Sequence, residues 1–356
     1  CACSVMLTTS RMVSGVEAGG IIILYDVLAF GSQPLTGRWV DTDGACGHWL
    51  KQATALLVCG ALMSLLPGSS ELLIAVMSAT LLGMGNSLFH VYGGKYVAVA
   101  SHNDIRLMGI FVSTGAVGLA TGLGFYSPVL LAVFLIAMLV LAVLHIHTVR
   151  RTVRKESSLS ACTEQSMSTS VLSAVPVALL ACLMFVVAGR AFIGESVPSL
   201  RMAFPSLGAP LTMVAVSVVV MAGKAAGGFL SRAWGVRRVF FTSMLLCAAT
   251  FLMCPLHNAL VLLTLLLVNI SMPCTLYWAT KAVPGREGWT FGLLAMALLP
   301  GFFLGQLLKG DTTCHNLLVP LMATILLESF LLLCMREGRW QVLATSVVLN
   351  ICTNVP

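Results

Sequence analysis

The sequence predicts an all-α polytopic membrane protein built from two pseudo-symmetric helical bundles, with about eleven complete transmembrane helices. Three observations predict it. Of the 356 residues, 58% are hydrophobic and only 9% are charged, far from the usual balance of a water-soluble domain. The apolar residues fall into long unbroken runs without the period-two alternation of a membrane barrel, so the spans are helices. Finally, the second half repeats the first at a fixed offset: Asn86 falls on Asn269, Asp104 on Glu287, and Gly109, Gly118 and Gly122 on Gly292, Gly301 and Gly305.

Taken in order, residues 1–16 form a short mixed segment around Arg11, read as the end of a preceding span and its loop. Apolar runs follow at about 16–35, 50–67, 72–98, 106–126 and 128–147, separated by turn signals such as Pro67-Gly68 and Ser127-Pro128. These make an N-terminal bundle over 1–148. Residues 149–171 are basic and then serine-rich, the composition of a linker between bundles. Spans resume at about 173–197, 207–229, 238–256, 258–281, 288–308 and 316–335, giving a C-terminal six-helix bundle over 172–338. The apolar tail, 339–356, is too short to cross. The repeat register implies a six-plus-six plan in which the counterpart of 173–197 is missing ahead of Val16.

Charge sets the orientation. With the linker cytoplasmic, 16 of the 20 basic residues lie on its side; Arg11, Arg201 and Lys309 lie opposite and Arg190 lies inside a span. The net charge of +7 is therefore read as topology, with no nucleic-acid partner implied. The 12 cysteines are scattered mainly as single residues through apolar runs, the pattern of small packing residues; no metal or disulfide framework is expected.

Two glycine-bearing stretches occupy matching places. Gly37-Arg38-Trp39-Val40-Asp41-Thr42-Asp43-Gly44 follows the first complete span, and Gly228-x-x-Ser231-Arg232-x-x-Gly235-x-Arg237-Arg238 follows the second span after the linker. Together they resemble the G-x-x-x-D-[RK]-x-G-[RK]-[RK] loop motif of the major facilitator superfamily of secondary transporters. The first copy keeps the glycines and the aspartate but has Thr42, Ala45 and Cys46 at basic positions; the second keeps the basic residues and has Ser231 near the acidic position. Gly83-Met84-Gly85-Asn86-Ser87-Leu88-Phe89-His90 also resembles the fourth span of drug-efflux members, although Val91 stands where those have proline. The resemblance implies the major facilitator fold, with two bundles rocking about a central site. Gly37, Arg38, Asp41, Gly44, Lys224, Gly228, Arg232 and Arg238 are then expected in gating loops, with Asp41 paired near Arg38.

Candidate pathway residues are polar groups where hydrocarbon is expected. Asp26 lies near the middle of its span, where an unpaired carboxylate costs about 2.5–3.5 kcal/mol, and is read either as a proton-coupling group or as a structural acid. Asn86 and His90 share one helix face, and Asn269 is the repeat mate of Asn86. A histidine titrates near neutrality and can relay a proton, but polar residues in spans also join helices by hydrogen bonds. Arg190, five residues before Glu195, either attracts an anion or snorkels and pairs with that acid. Tyr277 either stacks on a substrate or joins the interfacial aromatic belt.

No nucleophile elbow, phosphate-binding loop or His/Cys metal cluster is present in the sequence. The expected function is therefore not enzymatic and uses no cofactor. It is secondary active transport of a small molecule by a monomer in the lipid bilayer, coupled to protons, in a bacterial inner membrane. The alternative is a non-transporting scaffold or sensor on the same fold.

Overall fold

A computed structural model of the chain describes residues 1–12, 14–42, 48–66, 71–156, 174–196, 208–253, 258–308 and 324–325. The helices are α1 (Ala2–Thr9), α2 (Gly15–Asp26), α3 (Gln33–Thr42), α4 (His48–Met63), α5 (Glu71–Ala100), α6 (Ile105–Gly124) and α7 (Pro128–Glu156) in the first half. In the second they are α8 (Ala174–Ser196), α9 (Ala209–Trp234), α10 (Val236–Met253), α11 (Asn258–Ala282), α12 (Glu287–Met296) and α13 (Leu298–Leu307). Nine helices among the described residues are long and apolar enough to cross a membrane, with Gly15–Thr42 and Glu287–Leu307 each counted as one. Gly44, the expected span at 316–335 apart from Thr324 and Ile325, and the tail 339–356 lie outside the described residues.

Several helix ends differ from the sequence reading. The stretch from Gly37 to Thr42 is helical, as is Gly223 to Trp234, so Gly37, Arg38, Asp41, Gly228 and Arg232 stand near the ends of spans and Lys224 well inside one, instead of in loops. Apart from Gly37 and Gly228, each of those six is a residue that tolerates helix, and glycine costs only about 1 kcal/mol against alanine, which tertiary packing overrides. The chain leaves α9 only at Gly235, whose φ of 90° suits a residue without a Cβ. The linker likewise begins in helix, because α7 runs on through Glu156.

Two spans are interrupted. A π-helical turn, Val27–Gly31, follows Asp26 directly and joins α2 to α3. The break between α12 and α13 at Ala297 is explained by Pro300, which has no N–H to donate and whose ring crowds the carbonyl of Met296.

The bundles meet along two seams that use glycine in the same way. On one, α6 packs along α9. A Cβ on Gly109 would lie 3.0 Å from the Lys224 carbonyl oxygen, one on Gly228 would lie 2.7 Å from that of Ile105, and one on Gly124 would meet Pro210 at 3.1 Å. On the other, α3 packs along α12, where a Cβ on Gly37 would lie 2.5 Å from the Gly288 oxygen and one on Gly292 2.3 Å from the Gln33 oxygen. Backbone oxygens this close admit only glycine. Gly109 and Gly292, paired by the repeat, thus do the same work in the two bundles.

The seams differ toward the face opposite the end of α3. α6 and α9 stay in contact at both ends, whereas α2 packs on α5 and α1, and Cβ atoms on Gly15, Gly19 and Gly20 would meet open space. Beyond the break, α13 turns to α8, with Gly301 against Ala188 and Gly305 against Glu195. The second seam is therefore closed below the π turn and splayed above it.

Candidate functional site

Asp41 ties the bundles together at the face where α3 ends. Its Oδ1 accepts from the Gly288 N–H at 2.9 Å and its Oδ2 from the Trp289 N–H at 2.8 Å, so the carboxylate caps the first turn of α12 across the seam. Helix N-termini present unpaired donors and a positive dipole end, and an anion placed there satisfies both. Lys95 of α5 completes the group: its Nζ lies 3.4 Å from Asp41 Oδ1 and donates to the Val40 carbonyl at 2.8 Å. The Asp41 side chain is only 8% exposed, so these bonds are sheltered from water. The expected partner Arg38 is instead exposed on the neighbouring face of the helix. Lys95 was legible only as one basic residue among many, because α5 must be folded back against α3 before it can reach Asp41.

The pseudo-symmetric corner carries the charges the other way round. Asp104 caps α6, accepting from the Arg106 N–H at 3.0 Å, and its carboxylate takes the Arg106 guanidinium at 2.6 Å. Arg232 at the end of α9 also acts on Asp104 electrostatically across the other seam. His102 and Asn103 hold positive φ angles to turn the chain there, and Thr280 of α11 donates to Asn103 Oδ1 at 3.2 Å. The turn borders a cleft of about 400 Å³ lined by Asp104, Arg232, Tyr277 and Lys281. Tyr277 holds the Lys281 ammonium over its ring at 4.5 Å, so it sits at this face and not at mid-membrane. Arg238 is exposed nearby at the start of α10.

Arg106 holds the Asp104 carboxyl well below the usual carboxylate range, at about 2, chiefly through its side-chain hydrogen bonds and then through its backbone N–H. A depressed acid contributes stability above its unfolded value of about 3.9, and the contribution is lost as pH falls through the folded value. Between about pH 5 and 8 this cap is therefore constant. Asp104→Ala is expected to lower stability by about 1 kcal/mol equally across that range, as thermal midpoints at several pH values will show. A loss confined to the acidic end of the range would contradict this reading.

Beside Lys95, aromatic rings from both bundles meet. Phe291 of α12 lies against Gly94, where a Cβ would come within 2.4 Å of its ring, and meets Phe111 of α6 edge-on at 6.1 Å.

Asp26 is half-buried at the end of α2, where the π turn begins, and forms no hydrogen bond or ion pair among the described residues. α5 crosses here because Gly83 has no side chain: a Cβ would lie 2.7 Å from Leu28 Cβ and 3.1 Å from the Tyr25 oxygen. Below it a hydroxyl cluster joins the two helices, with Ser87 of α5 within 2.8 Å of both Ser32 and Thr36. Gln33 is 1% exposed; its amide donates to the Ala29 carbonyl at 2.7 Å while its Oε1 has no donor among the described residues. The sequence singled out none of these hydroxyls, whose only signal was the i, i+4 spacing of Ser32 and Thr36.

The asparagine pair has local partners. Asn269 donates to the Leu265 carbonyl of its own helix at 2.7 Å, and Asn86 Oδ1 receives the Cys1 thiol at 3.8 Å. His90, Arg190 and Lys224 form a basic group from three helices. Lys224 lies ten residues before the end of α9, about 15 Å inside it, and acts electrostatically with both Arg190 and His90. Arg190 is 7% exposed and does not snorkel. Its expected partner Glu195 takes the Gln306 amide at 2.6 Å instead.

No family model matches the sequence, and no curated protein does. Solved structures do. A bacterial homologue of the iron transporter ferroportin in an outward-facing state aligns over 96% of each chain, with a TM-score of 0.60 and 15% identity. The human organic anion transporter MFSD10 (TETRAN) aligns over 92% of this chain and 87% of its own, with a TM-score of 0.63 and 16% identity. FucP, a major facilitator superfamily transporter in the outward conformation, aligns over 93% and 95%, with a TM-score of 0.55 and 14% identity. The likeness is one of fold and spans nearly the whole chain.

Proposed function

We propose that this chain, an integral membrane protein with the major facilitator fold, is a secondary transporter moving a small molecule by alternating access, coupled to protons. The observation that carries the reading is the asymmetry of the seam between α3 and α12, which α2 and α13 leave splayed beyond the π turn. Asp41, Lys95 and the start of α12 close it at the opposite face. A bundle pair joined this way can open at the latched face only by releasing a buried carboxylate from its donors. Closed and open arrangements are then discrete states, as alternating access requires. With the linker face cytoplasmic, as its basic residues favour, this reading makes the arrangement an outward-open state. Two of the structures it resembles are described in that state.

Proton coupling rests on Asp26. A carboxylate in a span with no partner is a functional group by default, and the π turn beside it is a common device at functional sites. In proteoliposomes holding a pH gradient and a panel of labelled solutes, the wild-type chain is expected to show gradient-driven flux. Asp26→Asn is expected to reduce that flux by about tenfold or more, a barrier change of about 1.4 kcal/mol, while leaving solute exchange without a gradient largely intact. Gradient-driven flux that survives the substitution would remove Asp26 from coupling.

A further inference from the structure

Arg190 is a guanidinium whose buried Nη1 has no acceptor among the described residues. Burying such a group without a partner is strongly unfavourable, and a chain that only had to fold would place an apolar residue there. The backbone holds it in place with some force. Two residues before it, the Ala188 carbonyl packs against Gly301, where a Cβ would come within 2.0 Å, so α8 cannot rotate away from α13.

The second cation is fixed in the same manner. Lys224 is flanked by Gly223 and Gly227, whose absent Cβ atoms would lie 2.4 and 2.3 Å from the Leu266 and Ile270 oxygens of α11. Its stem is thereby set by a tight helix crossing, and its ammonium lies in the field of Arg190. His90 of the other bundle adds a third basic group within electrostatic reach of Lys224. Neither Arg190 nor Lys224 has an ion pair among the described residues. Asp41 is engaged by Lys95 and α12, Asp104 by Arg106 and Glu195 by Gln306, and Asp26 forms no ion pair with either cation among the described residues. The Cys274 thiol acts on Arg190 electrostatically and is held 3.3 Å from Ser231 Oγ.

We propose that the small molecule this site takes is an oxyanion, a carboxylate, phosphate or sulfate, clamped between Arg190 and Lys224 with His90 on the facing bundle. This rests on the transport reading above for its consequence, but the binding step stands apart from it. Guanidinium presents planar paired donors to an oxyanion and lysine supplies a point charge. Two adjacent cations repel until an anion enters, so the clamp favours an anionic ligand over an isosteric neutral one. Because the cations come from the C-terminal bundle and His90 from the N-terminal one, a bound anion draws the bundles together.

The test uses the purified full-length chain and, at constant ionic strength, phosphate, sulfate, succinate and the neutral succinamide as probes. At least one oxyanion is expected to raise the thermal midpoint by several degrees, and succinamide is expected to leave it unchanged. The three anions separate a phosphate or sulfate ligand from a carboxylate one. Arg190→Met is expected to abolish the shift and to raise the ligand-free midpoint, because an unpaired buried charge is removed; a purely structural arginine would lower it. Lys224→Met is expected to weaken the response about tenfold or more, and Arg190→Lys to retain part of it. The proposal is overturned if none of the oxyanions shifts the wild type, or if Arg190→Met responds as the wild type does. Oxyanion binding without flux in proteoliposomes would refute transport and leave the anion site standing. Flux of a neutral solute unaffected by Arg190→Met would do the reverse.

Discussion

Asp41→Asn is expected to unlatch the bundles at the linker face. The amide keeps the shape of the carboxylate but has one acceptor, so either the Gly288 or the Trp289 N–H meets an NH₂ group and loses its partner. The Lys95 ammonium loses its counter-charge at the same time. A hydrogen bond to a charged group contributes about 1.5–3 kcal/mol, and a buried donor left unpaired costs a similar amount. A net shift of about 3 kcal/mol, or about a hundredfold in the balance between closed and open, is therefore expected. Hydrogen exchange at the first turn of α12 is the direct measurement, because the protected amides are the ones that Asp41 holds. Faster exchange there, with flux reduced, is the expected result; unchanged exchange at Gly288 and Trp289 would rule out the latch.

Gly292→Val attacks the same closure sterically. A Cβ at 292 would sit 2.3 Å from the Gln33 oxygen, and since that oxygen belongs to a helix backbone it cannot swing aside. Overpacking of this kind costs about 1–3 kcal/mol in a core, and here the strain is relieved by separating α12 from α3. The clash lies between bundles and not within one, so the variant is expected to fold with a midpoint close to that of the wild type. Its flux should fall by about tenfold or more as closure at the linker face is penalised. Gly115→Val is the control: a Cβ there meets nothing within 4 Å, and flux should stay within about twofold of the wild type. Equal behaviour of the two variants would show that the close approach of α3 and α12 does not gate anything.

These two experiments probe one arrangement from its polar and its steric side, and they also explain the unequal motif copies. The first copy keeps its acid because Asp41 must cap a helix that begins across the seam. The second has Ser231 near the acidic position, and at that corner the acid is supplied by Asp104, the N-cap of α6, with Arg232 across the seam. The loss of the acid from one copy and of the basic residues from the other is thus a redistribution of charge between two corners. Glu287, the repeat mate of Asp104, stands in the first turn of α12, where it accepts from the Gly285 N–H at 2.8 Å.

Composition, hydropathy and the repeat determined the fold class, because a chain that must satisfy its backbone within hydrocarbon has few architectures open to it. The same reasoning found Asp26, Asn86, His90, Arg190 and Asn269, since a polar side chain in an apolar run is conspicuous wherever it points. What each of them touches was decided by tertiary structure alone. Arg190 and Glu195, five apart on one helix, were open to pairing; the crossing of α8 with α13 gives Glu195 to Gln306 and leaves Arg190 inside. Lys224 read as a loop cation because it heads a glycine-rich basic stretch, but glycines that break a helix in isolation are retained when a neighbouring backbone fills the space they leave. Lys95 was one cation among many until α5 folded against α3. Periodicity and polarity are properties of single segments, whereas an ion pair, a capped helix or an unpaired charge depends on which segments meet, and that is set by packing between residues far apart in the chain.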